Sequence, residues 1–464
     1  MKVLLVCVGS RGDAEPFVAI ADRLLQDSHQ VEFVIQPELK ELLVPSSSHS
    51  ANNNLRVHEW PFTQYDFYKY AANPSKGANL EGRLRFVAIV ADCIGELVLP
   101  SWKMVLDAAK DCNIIITSAL ARPLAFALSA KLKIPSVLIH LQPLVPTKLF
   151  PHSSNQDDFI ETLQTLEISD DAITAESGLE ENLETYWTLE QHQHDFLEDR
   201  LDKMYKEMEI EPKMTFTALR TILSGNDPSV FIGNSFFDEI IPRVVDAGPN
   251  VRHISSLADH YIPQGFEPPQ NVVDFLNQST DKPICVGFGS MPYSQVTLIL
   301  KALKRLDGGQ HRAILIGKAL ELPKPEDKNE DDDHDHDDDG LSAWVQTNVL
   351  QAYSLPYAWL LPQCQMMLSH GGAGVTHATL RAGIPPVISP LMGDQFFFAE
   401  LLQSRGLGAR AGQSLSTATE DDFVQAMEKA MGCVDSAKQF GEEVRNQPLG
   451  VDNLMNLLLD AVKL

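Results

Sequence analysis

The chain has 464 residues, of which 44% are hydrophobic, and this composition suits two or three globular domains and excludes wholesale disorder. Its 63 acidic and 37 basic residues give a formal net charge of −26. A nucleic-acid partner is disfavoured, because no basic stripe is available to neutralise phosphates. No run of about 18 apolar residues occurs, so the sequence predicts no membrane-spanning helix.

Two acidic segments carry almost all of that net charge. Residues 157–211 hold eighteen acids against three basic residues, and residues 326–339 hold ten acids against one lysine. The first segment has the apolar stripe of an amphipathic helix, which either docks on its domain or forms a lid or part of a binding site. The second is of low complexity and is expected to be a solvated insertion. No metal site is predicted at its His334 and His336, because no scaffold fixes the ligand geometry.

The cysteines and the N-terminus both indicate a cytoplasmic location. None of the six cysteines lies in a Cys-x-x-Cys pair, so we expect reduced thiols in the core. The apolar run Met1–Val8 breaks at Gly9 and is too short for a signal peptide.

The first half of the chain alternates strands and helices. Lys2–Val8 is predicted as a buried strand, followed by a glycine turn, a helix at Pro16–Leu25 and a strand at Gln30–Ile35. Apolar strands without alternation are typical of a parallel sheet that is covered on both faces. Later elements of the same kind are a helix at 123–132 and strands at 113–117, 136–140 and 230–232, the last of which is expected to close this half.

The second half repeats the pattern. Strands are expected at 283–288, 312–316, 366–369 and 386–389, and helices at 269–275, 294–306 and 375–382. We predict an α/β protein with two doubly wound Rossmann-like domains facing a cleft. The N-terminal domain is predicted at 1–250, with a helical insertion at about 152–211, and a polar linker at 246–270. The C-terminal domain is predicted at 265–440, with an acidic loop at about 323–340. A C-terminal helix at 441–464 is expected to pack back toward the first domain.

The strongest local signal is the glycine-rich turn Ser369–Thr376, which follows an apolar strand and opens a helix. Glycines there let backbone N–H groups approach an anion, and the helix N-terminus adds partial positive charge. A phosphate is the expected ligand, and His370 is placed to donate a hydrogen bond to it. The alternative is a tight turn with a structural histidine. The candidate binding residues are Gly371, Gly372, Ala373, Gly374, Val375 and Thr376.

Two more turns are expected at the same edge of the second domain, because loops at the carboxyl ends of neighbouring strands converge. Asp394 and Gln395 combine a carboxylate with an amide, which suits the hydroxyls of a sugar. Gly289, Ser290 and Met291 end another strand. The second domain is therefore interpreted as a nucleotide-sugar binder. A Walker-type phosphate loop is absent from the sequence.

In the first domain, the turn Gly9–Pro16 places an acid, Asp13, at the mouth of the predicted cleft. A carboxylate in that position can remove a proton from a hydroxyl. The alternative is that Asp13 only caps the helix that begins near Pro16.

Together these motifs resemble the sterol 3β-glucosyltransferases and related lipid and antibiotic glycosyltransferases, which are inverting, UDP-sugar-dependent enzymes of the GT-B type. The pairing of Gly9–Phe17 with the turns at 370–374 and 393–395 carries the resemblance. It extends over most of the chain outside the acidic segments, through Gln142–Leu144, Phe150–His152, Val286–Met291, Pro356–Pro362 and Arg405–Gly408.

The resemblance implies a role for each candidate residue. Asp13 would be the base, His370 and the amides of the glycine turn would hold the diphosphate, and Asp394 and Gln395 would grip the glucose. Ser290 would reach the donor phosphate or ribose. The residues expected on the acceptor side are Ser10, Arg11, Gly12, Gln142 and Pro143.

The implied substrates are UDP-glucose and an apolar hydroxylated acceptor such as a sterol, with peripheral contact to a membrane surface. No metal or other cofactor is expected. The alternatives are the same chemistry on another lipid or polyketide-type product, or a non-catalytic nucleotide-sugar-binding protein. Val375 departs from the family's usual threonine, and Ala352 and Ala378 replace the tryptophan and glutamate with which the plant small-molecule branch binds uridine.

Overall fold

The structure is a computed structural model that describes residues 1–43, 54–71, 82–154, 179–289, 296–317, 320 and 340–463. The chain divides into two compact units. The first unit combines Met1–Ala258 with Pro448–Leu464, and the second is Asp259–Gln447.

The first unit is built on a parallel sheet of seven strands in the order β3-β2-β1-β4-β5-β6-β7. The chain runs outward from β1 to β3 and then resumes on the other side of β1 with β4. The order therefore reverses between β1 and β4, and such a switch point leaves a crevice at the carboxyl ends of the strands. The strands are β1 Lys2–Val6, β2 Gln30–Ile35, β3 Leu55–Glu59, β4 Ile114–Ser118, β5 Ser136–His140, β6 Val230–Asn234 and β7 Val251–His253.

Helices pack on this sheet and bury its apolar side chains. One core joins Leu4 and Val6 of β1 to apolar side chains of several helices, all almost inaccessible to solvent. The helix of the acidic insertion contributes Leu197, Leu201 and Met204 to that core, so this stripe docks on the domain. The helices are α1 Arg11–Gln26, α2 Gln64–Ala71, α3 Gly82–Cys93, α4 Trp102–Ala108, α5 Arg122–Leu132, α6 Glu180–Glu207 and α7 Phe216–Leu223.

Two expectations for this unit are wrong. Helix α1 begins at Arg11 and not near Pro16, because Ser10 and Asp13 form a capping box that starts the helix earlier. The strand at 230–232 does not close the sheet. Val251–His253, expected as part of the linker, pairs with β6 as a seventh strand.

The second unit contains a parallel sheet of six strands in the order β10-β9-β8-β11-β12-β13, and its order reverses between β8 and β11. The strands are β8 Ile284–Gly287, β9 Ala313–Ile316, β10 Val349–Ala352, β11 Met366–Ser369, β12 Pro386–Ile388 and β13 Ala409–Arg410. The helices are α8 Gln270–Asn277, α9 Val296–Arg305, α10 Leu341–Asn348, α11 Tyr357–Leu360, α12 Ala373–Ala382, α13 Asp394–Ser404, α14 Glu420–Met431 and α15 Val434–Arg445.

The last helix, α16 (Gly450–Val462), belongs to the first unit. Asn453 Nδ2 donates to the carbonyl of Ile254 at 3.2 Å, and Gly450 lies against the backbone of Ser256. A helix long and apolar enough to cross a bilayer does not occur in the described ranges.

Candidate functional site

The turn after β1 holds the acidic side chain of the first unit. Ser10 is the N-cap of α1, and its backbone N and Oγ both donate to Asp13 Oδ2, at 2.7 Å and 2.9 Å. This geometry anchors one oxygen of the carboxylate in the first turn of α1. Because the turn follows β1 at the switch point of the sheet, Asp13 lies where open α/β sheets bind ligands.

Gly9 allows the carboxylate to lie so close to the strand. Its φ of +148° is one that side-chain-bearing residues rarely adopt, and a Cβ atom on Gly9 would collide with Asp13 Oδ2. Desolvation raises the pKa of Asp13 above its ordinary 3.8, and it outweighs the hydrogen bonds from Ser10 that lower it. A carboxylate with a raised pKa is a stronger base once it has lost its proton.

The predicted acceptor-side residues lie in two places. Arg11 and Gly12 are in the first turn of α1, where Arg11 Nε pairs with Glu15 Oε1 at 2.7 Å. Gln142 and Pro143 follow β5, two strands away from β1, and the Gln142 carbonyl accepts from Leu144 N at 2.8 Å. All of these residues lie at the carboxyl edge of the first sheet.

Sequence reasoning missed Gln36, which follows β2 at this edge. Its side chain is fully buried, and its Oε1 accepts from Gly9 N at 3.2 Å. Gln36 therefore fixes the turn that carries Asp13. The sequence signal that could have indicated Gln36 is a polar residue directly after an apolar strand.

In the second unit, the glycine-rich turn follows β11 and leads into α12. Gly371 has φ +83°, and a Cβ there would collide with Ile388. Gly372 is the N-cap of α12, and a Cβ on it would approach His370 Nε2 to 2.8 Å. The imidazole thus lies over the backbone of the helix N-terminus, where N–H groups are directed outward.

The turn after β8 lies beside the glycine-rich turn that follows β11. A Cβ on Gly289 would lie 3.3 Å from His370 Cε1, so the two turns that flank the switch point of the second sheet are in contact. Ser290 and Met291, which were predicted next to Gly289, lie outside the described residues.

Burial lowers the pKa of His370 to about 4, so the imidazole is neutral at neutral pH. Its buried Nδ1 and the Oγ1 of Thr376 have no hydrogen-bond partner among the described residues. Ala373 and Val375 are buried in the same first turns of α12, with Gly374 between them. Since Val375 offers no hydroxyl, Thr376 has the only side-chain hydroxyl in the first turn and a half of this helix.

The turn after β12, the next strand along, holds the remaining candidates. Gly393, with φ +59°, is the N-cap of α13, and Asp394 is the first residue of that helix. Gln395 is buried, and its Oε1 accepts from the backbone N of Leu391 and Met392 at 2.8 and 3.0 Å. The side-chain carbonyl of Gln395 thus holds its own turn.

Each unit therefore has a candidate site at its own switch point: a desolvated carboxylate in the first, and a helix N-terminus with a neutral histidine in the second. Within the ranges described, a group of three or more His, Cys, Asp or Glu side chains placed to hold a metal ion is absent. His334 and His336 lie outside those ranges.

Comparison with known sequences identifies similar proteins. The profile of the family described as "Erythromycin biosynthesis protein CIII-like, C-terminal domain" matches residues 333–452. A Sterol 3-beta-glucosyltransferase of Komagataella phaffii is 24% identical over 96% of this chain and 33% of its own length. Sterol 3-beta-glucosyltransferase UGT80A2 of Arabidopsis thaliana is 25% identical over 88% of this chain and 57% of its own length. The chain thus spans about a third to three-fifths of the length of these curated relatives.

Comparison with solved structures identifies similar folds. The glycosyltransferase SnogD from Streptomyces nogalater has a TM-score of 0.60 at 14% identity, over 99% of both chains. The spinosyn rhamnosyltransferase SpnG has a TM-score of 0.58 at 17% identity, over 98% of this chain and all of that one. The predicted α/β class with two doubly wound Rossmann-like domains of the GT-B type is confirmed.

Proposed function

We propose that this chain is a sterol glucosyltransferase-like member of the GT-B glycosyltransferases and that it transfers glucose from UDP-glucose to a hydroxyl of an apolar acceptor. The acceptor we propose first is a sterol. The observation that carries the proposal is the presence of one candidate site in each unit, because a base and a group of anion-binding donors are what this reaction needs.

The second unit would bind the donor. The N–H groups of Gly372 to Val375 would hold the diphosphate at the N-terminus of α12, whose partial positive charge favours an anion. His370 would donate one hydrogen bond to a phosphate oxygen, and Thr376 Oγ1 is a second candidate donor. Asp394 and the amide of Gln395 would bind the glucose hydroxyls.

The first unit would bind the acceptor and start the reaction. Asp13 removes the proton of the acceptor hydroxyl as its oxygen attacks the anomeric carbon from the face opposite the diphosphate. The carbon–oxygen bond to the diphosphate breaks, and UDP leaves with the electron pair. The products are the glucoside with inverted configuration, UDP and a proton on Asp13.

The leaving diphosphate would be stabilised without a metal or another cofactor. The neutral His370 and the backbone N–H groups of α12 act as fixed donors where negative charge develops. Ser10 and Gly12 would line the acceptor hydroxyl beside Asp13. Since sterols reside in bilayers, we also infer that the protein contacts a membrane surface peripherally.

The test measures UDP release and glucoside formation from UDP-glucose and a sterol in mixed micelles. Asp13→Asn should lower kcat by about 10²–10⁴-fold, the usual contribution of a general base, while UDP-glucose binding stays within a factor of about three. The matched control is Asp422→Asn, since Asp422 forms the same capping box with Thr419 at the start of α14. Its kcat should stay at the wild-type value.

Undiminished turnover of Asp13→Asn would remove Asp13 from the mechanism. Tight UDP-glucose binding with no glucoside and no UDP release from the wild type, across sterol, glycolipid and polyketide acceptors, would show a nucleotide-sugar-binding protein instead.

A further inference from the structure

Two polar side chains at the carboxyl edge of the first sheet have no assigned role. His140 is the last residue of β5, Asn234 is the last residue of β6, and the two are partners in the parallel register. They are 1% and 0% exposed. Register partners on adjacent strands point to the same face and lie about 4.8 Å apart, so the imidazole and the amide are neighbours.

All four polar atoms of this pair lack a hydrogen-bond partner among the described residues: Nδ1 and Nε2 of His140, and Oδ1 and Nδ2 of Asn234. A buried donor or acceptor left unsatisfied destabilises a folded protein by about 1–3 kcal/mol. The large majority of buried polar groups have a hydrogen-bond partner, so a pair of adjacent side chains with four unpartnered atoms calls for a polar group from elsewhere, either an ordered water or a ligand.

The chemistry of the pair selects a neutral ligand. Burial, then the Arg122 guanidinium and His152, lower the pKa of His140 to about 3, so the imidazole is uncharged at neutral pH. Arg122 itself is paired with Glu190. A neutral imidazole and an amide each offer a donor and an acceptor, which suits a hydroxyl or a ketone rather than a carboxylate or a phosphate.

The position of the pair separates it from the reacting hydroxyl. Strands β5 and β6 are the second and third strands from β1 on one side of the sheet. At about 4.8 Å per strand, the pair lies about 10–14 Å along the edge from the strand that leads to Asp13. A group bound there belongs to the far end of an elongated molecule whose near end lies at Asp13.

An irregular segment follows His140 directly. Residues 141–151 have neither helix nor strand, and they include the acceptor-side candidates Gln142 and Pro143. The segment ends at His152, which is near enough to His140 to act on it electrostatically. Binding therefore requires this irregular segment to shift and admit the ligand between it and the sheet edge.

We propose that His140 and Asn234 form a specificity site for a second oxygen group, a ketone or hydroxyl, at the far end of the acceptor. This inference rests on the proposed function and refines its acceptor class: among sterols and related polycyclic alcohols, the preferred acceptor carries a second oxygen group at its far end. An acceptor with one hydroxyl leaves the buried pair unsatisfied and is bound less well.

The test compares two acceptors that differ by one oxygen, 5α-androstan-3β-ol and 3β-hydroxy-5α-androstan-17-one. The wild-type kcat/KM should be roughly tenfold to a hundredfold higher for the ketone. In His140→Phe and Asn234→Leu this ratio should fall toward one, while the KM for UDP-glucose and the slow UDP release without acceptor stay unchanged.

The matched control is Ser136→Ala. Ser136 is the first residue of β5, is fully buried, and its Oγ also lacks a partner among the described residues, but it lies at the opposite edge of the sheet. Its variant should keep the wild-type ratio. Asn234→Leu should also keep or raise the melting temperature, since it replaces an unsatisfied amide with an apolar group of similar shape.

If the wild-type kcat/KM is about the same for the ketone and for the 3β-ol, the proposal is overturned without any variant. It is also overturned if both variants keep the wild-type ratio of the two kcat/KM values. If neither steroid is glucosylated, the proposed function fails for this acceptor class. Equilibrium binding of the two steroids, measured by thermal shift, then decides the inference: equal shifts overturn it, and a larger shift for the ketone that is lost in Asn234→Leu supports it.

Discussion

Two helices of this chain, α1 and α14, begin with the same capping box. In the first, Ser10 N and Oγ donate to Asp13 Oδ2 at 2.7 and 2.9 Å. In the second, Thr419 N and Oγ1 donate to Asp422 Oδ2 at 2.8 and 2.7 Å. In both boxes the N-cap residue donates from its backbone N and its hydroxyl to the carboxylate three residues on, and Thr419 Oγ1 also accepts from Asp422 N at 3.2 Å. These bonds and the shared spacing do not by themselves distinguish a base from a cap.

The surroundings of the two boxes differ. The first follows β1 directly, at the switch point of its sheet, and desolvation raises the pKa of Asp13. The second comes nine residues after the edge strand β13, and its bonds lie at exposed positions. We infer that the position of a capping box in the fold decides whether its carboxylate is only structural or is also available for chemistry. Predictions that treat the two boxes in parallel test this conclusion.

Substitution of the residue before each capping box should give the largest difference in activity between the two boxes. Gly9 precedes the first box and Ala418 the second. Gly9→Ala should lower kcat/KM by about a hundredfold or more, because its Cβ would displace the Asp13 carboxylate and a shift of about 1 Å in a reacting group has that effect. It should also reduce the free energy of unfolding by about 1–3 kcal/mol, since φ is +148°.

The parallel change, Ala418→Gly, should alter kcat/KM by less than about twofold. Steady-state kinetics with chemical denaturation of both variants measures the difference. Wild-type activity in Gly9→Ala would show that the position of the Asp13 carboxylate does not matter for turnover.

The pH dependence should give the next largest difference. Asp13 must lose its proton to act as a base, so kcat/KM should fall about tenfold per unit as the pH drops below its raised pKa. A raised folded pKa contributes stability at low pH that is lost as the pH rises through it. Asp13→Asn should therefore keep or increase the melting temperature at pH 7. It should also abolish the fall of kcat/KM at low pH, which is the acid limb of the pH profile.

Asp422→Asn should leave the acid limb of the pH profile at the wild-type position. If the acid limb of kcat/KM kept its wild-type position in every variant at Gly9, Ser10 or Asp13, the group that titrates would not be Asp13.

The fold was largely predictable because buried parallel strands are continuous apolar runs. The runs at 2–6, 114–118 and 366–369 have this character, and each is a strand. Strands with partly polar sequences were missed, as at Leu55–Glu59 and Val251–His253, because edge strands are half-exposed and lack that signal.

The site was predictable where backbone conformation demands a residue type. The glycines at 9, 371 and 393 mark turns that other residues adopt only with strain, and each of these turns carries a candidate side chain. The buried groups that act through tertiary contacts were not predictable. Gln36 and the pair His140 and Asn234 are polar residues at strand ends, and only the assembled sheet brings them to one edge.

Removing the hydroxyl from each cap should give the smallest difference, and it separates the two roles of the motif. Ser10→Ala loses the bond from Oγ to Asp13 Oδ2, whereas Thr419→Ala loses two bonds, since Oγ1 donates to Asp422 Oδ2 and accepts from Asp422 N. Each change should lower the free energy of unfolding by about 1 kcal/mol, with the larger loss in Thr419→Ala. Only Ser10→Ala should change catalysis. The Ser10 side chain is one of the groups that lower the pKa of Asp13, so its loss should move the acid limb of kcat/KM to higher pH. A loss of stability in both variants, with a shift of the pH profile in the first alone, would show that one motif caps two helices but tunes a base in only one. A shift in both variants, or in neither, would contradict the distinction between the two boxes.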